Sequence, residues 1–258
     1  MMGVVPSVAR FEVLKGRSLL DRAVPYHMNQ RVKESLRTRR YYAPRRAAAA
    51  EETRRDILRA AQEEFEAHGW AATTIRAIAL SAGVSPKTVE ALFATKPALL
   101  EATLLAALRG DPANTDTGDL AVIRPEAVLE LRGEARREIE AAPDAATMLE
   151  LHAALACEIN ARVARICWAV DTAVSSDERL AAVGARLTES WLFGARWSAE
   201  VLLRKPGVRA DLTLREAEAT FQIAIDWNTY LTLTTKSDLS PEEVHEWVTR
   251  YDHRMLLA

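Results

Sequence analysis

Hydroxyl and cationic side chains cluster where two short helices are predicted to begin. Thr74 precedes one of these helices, and Ser85, followed by Pro86, precedes the other. A helix N-terminus binds phosphate through its free N–H groups, and Arg or Lys on the outer side of a helix reaches phosphates or base edges. The chemistry that this pattern predicts is recognition of a nucleic acid and not catalysis. The candidate DNA-binding residues are Thr74, Arg76, Ser85, Lys87, Thr88 and Lys96.

No catalytic signature accompanies these residues in the sequence. It contains no Gly-x-Ser-x-Gly, no P-loop, no Gly-x-Gly-x-x-Gly and no His-Glu-x-x-His, and its two cysteines and five histidines lack zinc-site spacing. On one helix, Cys157 and Cys167 would stand roughly 15 Å apart, which is too far for a disulfide. We predict no enzyme activity, no cofactor and no metal. We interpret the cysteines as small core residues, the alternative being a thiol sensor.

Helical periodicity and helix-ending residues predict the elements that present the polar side chains. A first helix, apolar on one face, ends at His68-Gly69, because glycine is the usual left-handed stop. A turn follows at Ala82-Gly83-Val84-Ser85, where Gly83 adopts a positive φ at little cost. A fourth helix starts at Thr95-Lys96-Pro97. Two short helices joined by a glycine turn and flanked by longer ones are typical of a helix–turn–helix that enters the major groove.

Spaced motifs in residues 53–100 resemble the N-terminal DNA-binding domain of the TetR-type (tetracycline-repressor) family of bacterial regulators. The resemblance implies a larger, divergent helical domain after it. The family commonly has aromatic residues at the positions of Glu90 and Leu92, and the first usually donates to a backbone phosphate. A glutamate there adds repulsion toward DNA unless it turns to Lys87. The matching residues are Phe65, Gly69, Thr74, Ile75, Arg76, Ala77, Ile78, Ala79, Ala82, Gly83, Val84, Ser85, Thr88, Val89, Phe93, Lys96, Leu99 and Leu100.

Charge is distributed unevenly along the chain, although its net value is only −2. Residues 1–46 carry 11 Lys and Arg against 3 Asp and Glu, whereas residues 51–109 carry 7 against 8. Phosphate affinity grows with each neutralised phosphate, so a near-neutral helix–turn–helix domain (51–109) relies on a few placed cations or borrows others. The basic extension 1–50, which we expect to be flexible, could supply them along a minor groove. The alternative is a disordered tail.

Residues 110–258 are predicted to form a helical effector-binding and dimerisation domain, which makes the whole chain all-α. Helices are expected at 125–141, 144–174, 177–204, 213–234 and 240–256, after a linker at 110–124. Six tryptophans in 258 residues favour an aromatic-lined effector cavity, although tryptophan at helical spacing also suits a core. The candidate pocket residues are His152, Asn160, Trp168, Trp191, Phe193, Trp197 and Trp227.

The last two predicted helices carry apolar residues on more than one face. Such a helix buries one face in its own core and the other in a partner subunit. The resemblance implies the same, because these regulators usually dimerise through their last two long helices. We therefore predict a homodimer whose recognition helices lie about one DNA turn apart, roughly 34 Å, or a small multiple of this distance. The candidate interface residues are Phe221, Ile225, Val244, Trp247, Val248, Tyr251 and Met255.

These features predict a ligand-responsive transcriptional regulator, with repression as the favoured mode. It binds a palindromic double-stranded DNA operator and is released or repositioned by a small-molecule effector. The sequence shows neither a secretory signal nor an apolar run of 18 residues, so we predict a cytoplasmic protein with no membrane segment. The alternative is a helical ligand-binding or scaffolding dimer that has lost DNA binding. Glu90 and the near-neutral helix–turn–helix domain motivate that alternative.

Overall fold

The computed structural model describes residues 30–110, 133–224 and 226–258, with side chains from residue 47 onward. The chain divides into two units, Met1–Ala48 and Ala49–Ala258. Most of the predicted extension 1–50 therefore lies outside the described side chains. The same holds for most of the predicted linker, for residues 125–132 of the helix expected after it, and for Ile225.

The described part of the chain is built from helices, which confirms the all-α fold class. Apart from these helices, it contains one isolated bridge between extended residues, which pairs Val208 with Leu257. The helices are α1 (Gln30–Ala72), α2 (Ile75–Ser81), α3 (Pro86–Phe93), α4 (Lys96–Arg109), α5 (Gly133–Ala141), α6 (Ala145–Ala173), α7 (Glu178–Leu202), α8 (Leu214–Ala224), α9 (Trp227–Leu231) and α10 (Pro241–Leu256), with one π-helical turn at Thr232–Lys236.

Side-chain caps mark where several of these helices begin. The Asp144 carboxylate accepts from the N–H of Thr147 at the start of α6, and Asp177 accepts from Leu180 N–H at the start of α7. Ser240 and Glu243 form a reciprocal capping box at α10, followed by a proline in the first turn. These local signals explain why the predicted starts of α6, α7 and α10 agree closely with the structure.

The helix predicted over 213–234 is wrong as a single element. α8 ends at Ala224, α9 runs only from Trp227 to Leu231, and the π-helical turn follows. Asp226 adopts an extended backbone, with φ −71° and ψ 131°, and its carboxylate caps the N–H of Asn228. Aspartate in this role competes with a continuing helix, which is the reason that the apolar periodicity was misleading here.

A continuous core joins the helix–turn–helix segment to the helices that follow it. α4 carries most of this connection, since every residue from Leu99 to Leu108 is buried. Buried Glu101 on α4 also forms an ion pair with Arg179 on α7. The domain boundary predicted near residue 110 therefore does not separate two cores. The shared core includes Ile57, Phe65, Ile78, Val89, Leu104, Val163, Ile166 and Leu187.

Among the described residues, no single helix has the length and apolarity to cross a membrane. α3 and α4 satisfy the same criterion only when they are taken together, and the chain bends by 72° between them.

Candidate functional site

The two short helices predicted from the sequence form a helix–turn–helix in the structure. Thr74 and Ser85 cap α2 and α3, and Pro86 occupies the first turn of α3. Gly83 has a φ of 66°, and the next amide, Val84 N–H, donates to the carbonyl of Ala79 at 2.9 Å. This bond folds the turn back onto α2. The residues that α2 and α3 bury are Ile78, Ala79, Val89 and Phe93.

The opposite side of the helix–turn–helix is polar and faces outward. Arg76, Lys87 and Glu90 are exposed, and Thr88 is half-buried. Among the described side chains, Glu90 forms no ion pair with Lys87, so its negative charge is left on the outer side of α3. Leu80 on α2 is 82% exposed, which makes it the most exposed large apolar side chain in the described part.

The capping hydroxyls keep a hydrogen available for a second partner. Thr74 Oγ1 accepts from Ala77 N–H at 3.1 Å, and Ser85 Oγ accepts from Thr88 N–H at 3.1 Å. Ser85 Oγ and Thr88 Oγ1 also share a hydrogen bond of 2.8 Å, which uses one of their two hydroxyl hydrogens. A cap uses the lone pairs of the oxygen and not its hydrogen. Each helix start can therefore still donate one hydroxyl hydrogen to an anion.

Lys96 points back into the protein rather than outward. Its ammonium donates to the carbonyl of Trp70 and lies 4.1 Å from the centroid of the Trp70 ring. Burial lowers the pKa of Lys96 from its ordinary value. The Lys96 side chain therefore links the start of α4 to the end of α1. A phosphate contact by Lys96, as predicted from the sequence, would have to replace or share that contact.

A cavity of about 170 Å³ lies between α4, α6 and α7, with α5 and α9 closing its edges. Five of the seven predicted pocket residues line it, namely His152, Asn160, Trp191, Trp197 and Trp227. The other lining residues are Leu108, Arg136, Leu155, Ala156, Ile159, Val163, Cys167, Leu187, Ser190, Gly194 and Ser198.

Trp168 and Phe193 do not line this cavity, contrary to the sequence-based assignment. Both side chains are partly exposed, Trp168 to 45% and Phe193 to 37%. Trp168 packs over Gly69 at the end of α1 and borders a separate polar groove. Each lies next to a cavity residue on its helix, Cys167 beside Trp168 and Gly194 beside Phe193. Amino-acid composition alone therefore did not show which side of each helix faces the cavity.

A polar group at the edge of the cavity was not predicted from the sequence. Arg136 Nε donates to Glu140 Oε1 at 3.1 Å, and Trp197 Nε1 donates to the same oxygen at 3.2 Å. The Arg136 guanidinium also lies 5.2 Å from the centroid of the Trp197 ring. The i, i+4 spacing of Arg136 and Glu140 was readable as a helical ion pair. Its contact with Trp197 depends on tertiary structure, which that spacing does not report.

His152 is held inside the cavity wall by a hydrogen bond to Ser198. Its Nε2 lies 2.9 Å from Ser198 Oγ, and its ring meets Phe221 edge-on with centroids 4.6 Å apart. Complete burial lowers the pKa of His152 to about 4. The imidazole is therefore neutral at physiological pH.

The two cysteines are free thiols. Burial raises the pKa of Cys157 to about 11 and raises that of Cys167 further. A thiol that stays protonated is a weak nucleophile, which favours the core interpretation of both residues. Within the described residues, no three His, Cys, Asp or Glu side chains converge as metal ligands would.

The predicted dimer interface contains residues that the chain buries in its own core. Phe221, Val244 and Val248 are at most 2% exposed. Val244 and Val248 pack with Ala153 and Ala164 of α6, so one apolar face of α10 is covered within the subunit. These three residues are therefore unavailable to a partner subunit.

The remaining predicted interface residues are only partly accessible. Trp247 and Tyr251 are half-buried and stack on each other with centroids 5.3 Å apart, while Met255 is 43% exposed. Further exposed apolar side chains occur on the helices α7 and α8. These are Leu192 and Phe193 on α7 and Ile223 on α8, exposed to 42%, 37% and 50%.

Comparison with known proteins agrees with this architecture. Residues 57–103 match the family model described as bacterial regulatory proteins, tetR family. This match spans the C-terminal part of α1, then α2, the turn, α3 and the first half of α4. No curated protein matches the sequence.

Several solved structures share the fold at low sequence identity. A protein from Saccharomonospora viridis, assigned as a transcriptional regulator and crystallised in complex with choline, has a TM-score of 0.58 and 16% identity, over 80% of this chain and 98% of its own. A protein from Mesorhizobium loti, assigned as a TetR-family transcriptional regulator, has a TM-score of 0.55 and 14% identity, over 81% and 98% of the two chains. A protein from Rhodococcus sp., assigned as a TetR-family transcriptional regulator, has a TM-score of 0.51 and 17% identity, over 80% of this chain and 99% of its own. Residues 57–103 therefore match the DNA-binding segment of the tetR-family model, and the all-helical fold of the chain is the one that these solved structures share.

Proposed function

We propose that this DNA-binding regulator is a cytoplasmic repressor, without enzyme activity, that binds a palindromic operator as a homodimer and is released by a small-molecule effector. The observation that carries the proposal is the orientation of α3. Its apolar residues Val89 and Phe93 are buried, whereas Lys87 and Glu90 lie on the exposed side. That orientation is the one a recognition helix needs to enter a major groove.

The DNA contacts are assigned to the polar residues around the helix–turn–helix. Arg76 and Lys87 are exposed cations that can neutralise phosphates or reach base edges. The hydroxyl hydrogens near Thr74 and the Ser85–Thr88 pair supply donors at the two helix starts. The negative charge of Glu90 opposes these contacts with the DNA phosphates. Positive charge elsewhere, including the basic extension 1–50, therefore contributes more to the affinity.

The effector response is assigned to the tryptophan-lined cavity. Leu108, close to the C-terminal end of α4, is one of its lining residues, and the N-terminal end of α4 packs directly against the helix–turn–helix. A ligand that fits one position of α4 better than another shifts the population between two arrangements of the DNA-binding segments. Because α4 is almost entirely buried, a change at the cavity has few ways to relax without moving this helix.

The homodimer is assigned to the outer faces of α7 and α8 rather than to the buried faces predicted from the sequence. Arg196 of α7 forms an ion pair with Glu218 of α8 at 3.2 Å, which fixes the two helices side by side. The exposed apolar residues Leu192, Phe193 and Ile223 lie on these two helices. Exposed apolar side chains grouped on neighbouring helices are typical of an association surface.

Lys87→Ala is expected to weaken binding to duplex DNA from upstream of the gene and to lower the salt dependence. Losing one phosphate contact reduces the slope of log K against log salt by about 1 for each subunit bound. The measurement is fluorescence anisotropy of the labelled duplex between low and moderate salt. Arg204→Ala is the matched control, since Arg204 is an exposed cation beyond the end of α7.

Two results would contradict this assignment of Lys87. One is an equal loss of affinity in the Arg204 and Lys87 variants, which would mean that only net charge matters. The other is the absence of any salt-sensitive, sequence-selective binding by the unmodified protein. That second result would favour the alternative function, a ligand-binding or scaffolding dimer without DNA binding, to which Glu90 already lends support.

A further inference from the structure

Two buried polar atoms in residues that line the cavity have no hydrogen-bond partner among the residues that the structure describes. One is Nδ1 of His152, and the other is Nε1 of Trp191. Buried polar groups in native proteins are nearly always satisfied, because an unsatisfied one loses its hydration without compensation. Both atoms belong to residues that line the cavity, so a ligand bound there is a candidate partner for them.

The hydrogen-bond chain around Ser198 fixes what His152 offers to a ligand. Ser198 Oγ donates its only hydrogen to the carbonyl of Gly194 at 2.9 Å. With that hydrogen on the Gly194 carbonyl, the bond between Ser198 Oγ and His152 Nε2 is donated by the histidine, and we assign the proton of the neutral ring to Nε2. Nδ1 is consequently a bare acceptor, whereas Trp191 Nε1 is by its chemistry a donor.

Among the described residues that line it, the cavity carries no uncompensated charge. The Arg136 guanidinium at its edge is paired with Glu140, and the other lining side chains are apolar or neutral. The neutral state of His152 agrees with its lowered pKa. Moving an ionised ligand out of water into such a site would be unfavourable, because no opposite charge is free to meet it.

The size of the cavity favours a compact ligand. A cavity of about 150 Å³ lined by apolar side chains holds benzene, and this one measures about 170 Å³. Trp191, Trp197 and Trp227 provide flat aromatic walls, with Trp191 and Trp227 in edge-to-face contact at 6.1 Å. A compact molecule with about one ring fits these dimensions.

We propose that the effector is an uncharged, compact and largely apolar molecule that donates a hydrogen bond to His152 Nδ1 and accepts one from Trp191 Nε1. A simple phenol or a small alcohol has this chemistry, since a hydroxyl group both donates and accepts. The inference rests on the proposed function in taking this cavity as the effector site. It specifies the chemical class of ligand, which the family and the fold leave open.

The test is calorimetric titration of the full chain, without DNA, with phenol, toluene and benzoate. Phenol and toluene have nearly the same shape, and an apolar cavity without polar partners prefers toluene, since a buried hydroxyl would lose its hydration. We expect phenol to bind more tightly than toluene by about threefold to tenfold, the usual net value of one or two hydrogen bonds. Benzoate should bind far more weakly than either.

Three variants assign the preference to the two polar atoms. Trp191→Phe keeps an aromatic wall but removes the N–H donor, and His152→Leu removes the acceptor, so each should reduce the ratio of phenol to toluene affinity. His152→Asn, which returns an acceptor near the position of Nδ1, should restore part of the ratio. The matched control is Trp197→Phe, because the indole N–H of Trp197 is already bonded to Glu140. Thermal unfolding verifies that each variant is folded.

The proposal is overturned if toluene binds as tightly as phenol, if benzoate matches phenol, or if neither neutral probe binds at millimolar concentration. It is equally overturned if Trp191→Phe and Trp197→Phe change the ratio alike. Because no DNA is present, these outcomes are independent of the regulatory role. Selective phenol binding without any effect on DNA binding would support the ligand class while contradicting the proposed effector response.

Discussion

Replacing Gly69 by alanine is expected to destabilise the protein by roughly 2–6 kcal/mol, the sum of a backbone and a packing contribution. Gly69 has a φ of 69° and a ψ of −176°, a backbone region that is essentially restricted to glycine and costs other residues about 1–3 kcal/mol. In addition, a Cβ at this position would lie 2.9 Å from Cζ3 of Trp168. Overpacking of this kind typically adds about 1–3 kcal/mol. The measurement is urea unfolding followed by circular dichroism.

Gly83→Ala separates the two contributions to this loss. Gly83 also has a positive φ, 66°, but a Cβ there would meet no atom within 4 Å among the described residues beyond its chain neighbours. Gly83→Ala should therefore reduce the free energy of unfolding only by the backbone contribution. Trp168→Ala in the Gly69→Ala background should recover the steric part and leave the backbone part. If Gly69→Ala costs no more than Gly83→Ala, the packing of Trp168 over Gly69 is not a tight contact in the protein.

Asp252→Asn is expected to stabilise the protein at pH 8 and to remove much of its pH dependence between pH 4 and 8. Asp252 is fully buried on α10, neither of its carboxylate oxygens has a partner among the described residues, and burial raises its pKa to about 8. Its pKa in the unfolded chain is about 3.9. The folded state therefore holds this proton more tightly, and its contribution to stability is complete below about pH 4 and is lost as the pH rises to about 8.

The size of this effect is several kcal/mol, because one unit of pKa corresponds to about 1.4 kcal/mol. The side-chain amide that Asp252→Asn introduces would itself be buried, so we expect a net gain of about 2 kcal/mol at pH 8 and little change at pH 5. Urea unfolding at the two pH values measures both. Glu246→Gln is the control, since Glu246 lies on the exposed side of the same helix. If the free energy of unfolding varies with pH in the same way for the Asp252 variant and the unmodified protein, the prediction is wrong. That result would mean that the Asp252 carboxylate has a hydrogen-bond partner or water.

The helix–turn–helix was predictable from sequence because its determinants are local. Thr74, Gly83, Ser85 and Pro86 each act within a few residues, through caps and a positive φ, and the structure has them in those roles. Lys96 is a residue whose contacts were not predictable from local sequence signals. Its position next to a helix start suggested a phosphate, whereas its actual partner, the carbonyl of Trp70, is 26 residues away in sequence.

The cavity and the association surface depend on which side of each long helix meets another helix. Periodicity identifies apolar faces but does not say whether the same chain or a partner covers them. Val244 and Val248 are covered by α6 of the same chain, and Phe221 lies in a core cluster with residues of that helix. Conversely, Leu192 and Ile223 are exposed although they are as apolar as the buried positions. Those assignments required tertiary structure.

The central claim, that α3 faces outward in a two-fold assembly and enters the major groove, is tested most directly by a hydroxyl-radical footprint. The footprint is taken on duplex DNA from upstream of the gene at saturating protein concentration. The account predicts two protected patches related by two-fold symmetry, with centres about 10–10.5 base pairs apart or a small multiple of this spacing. A single protected patch, or no protection at any protein concentration, would contradict it.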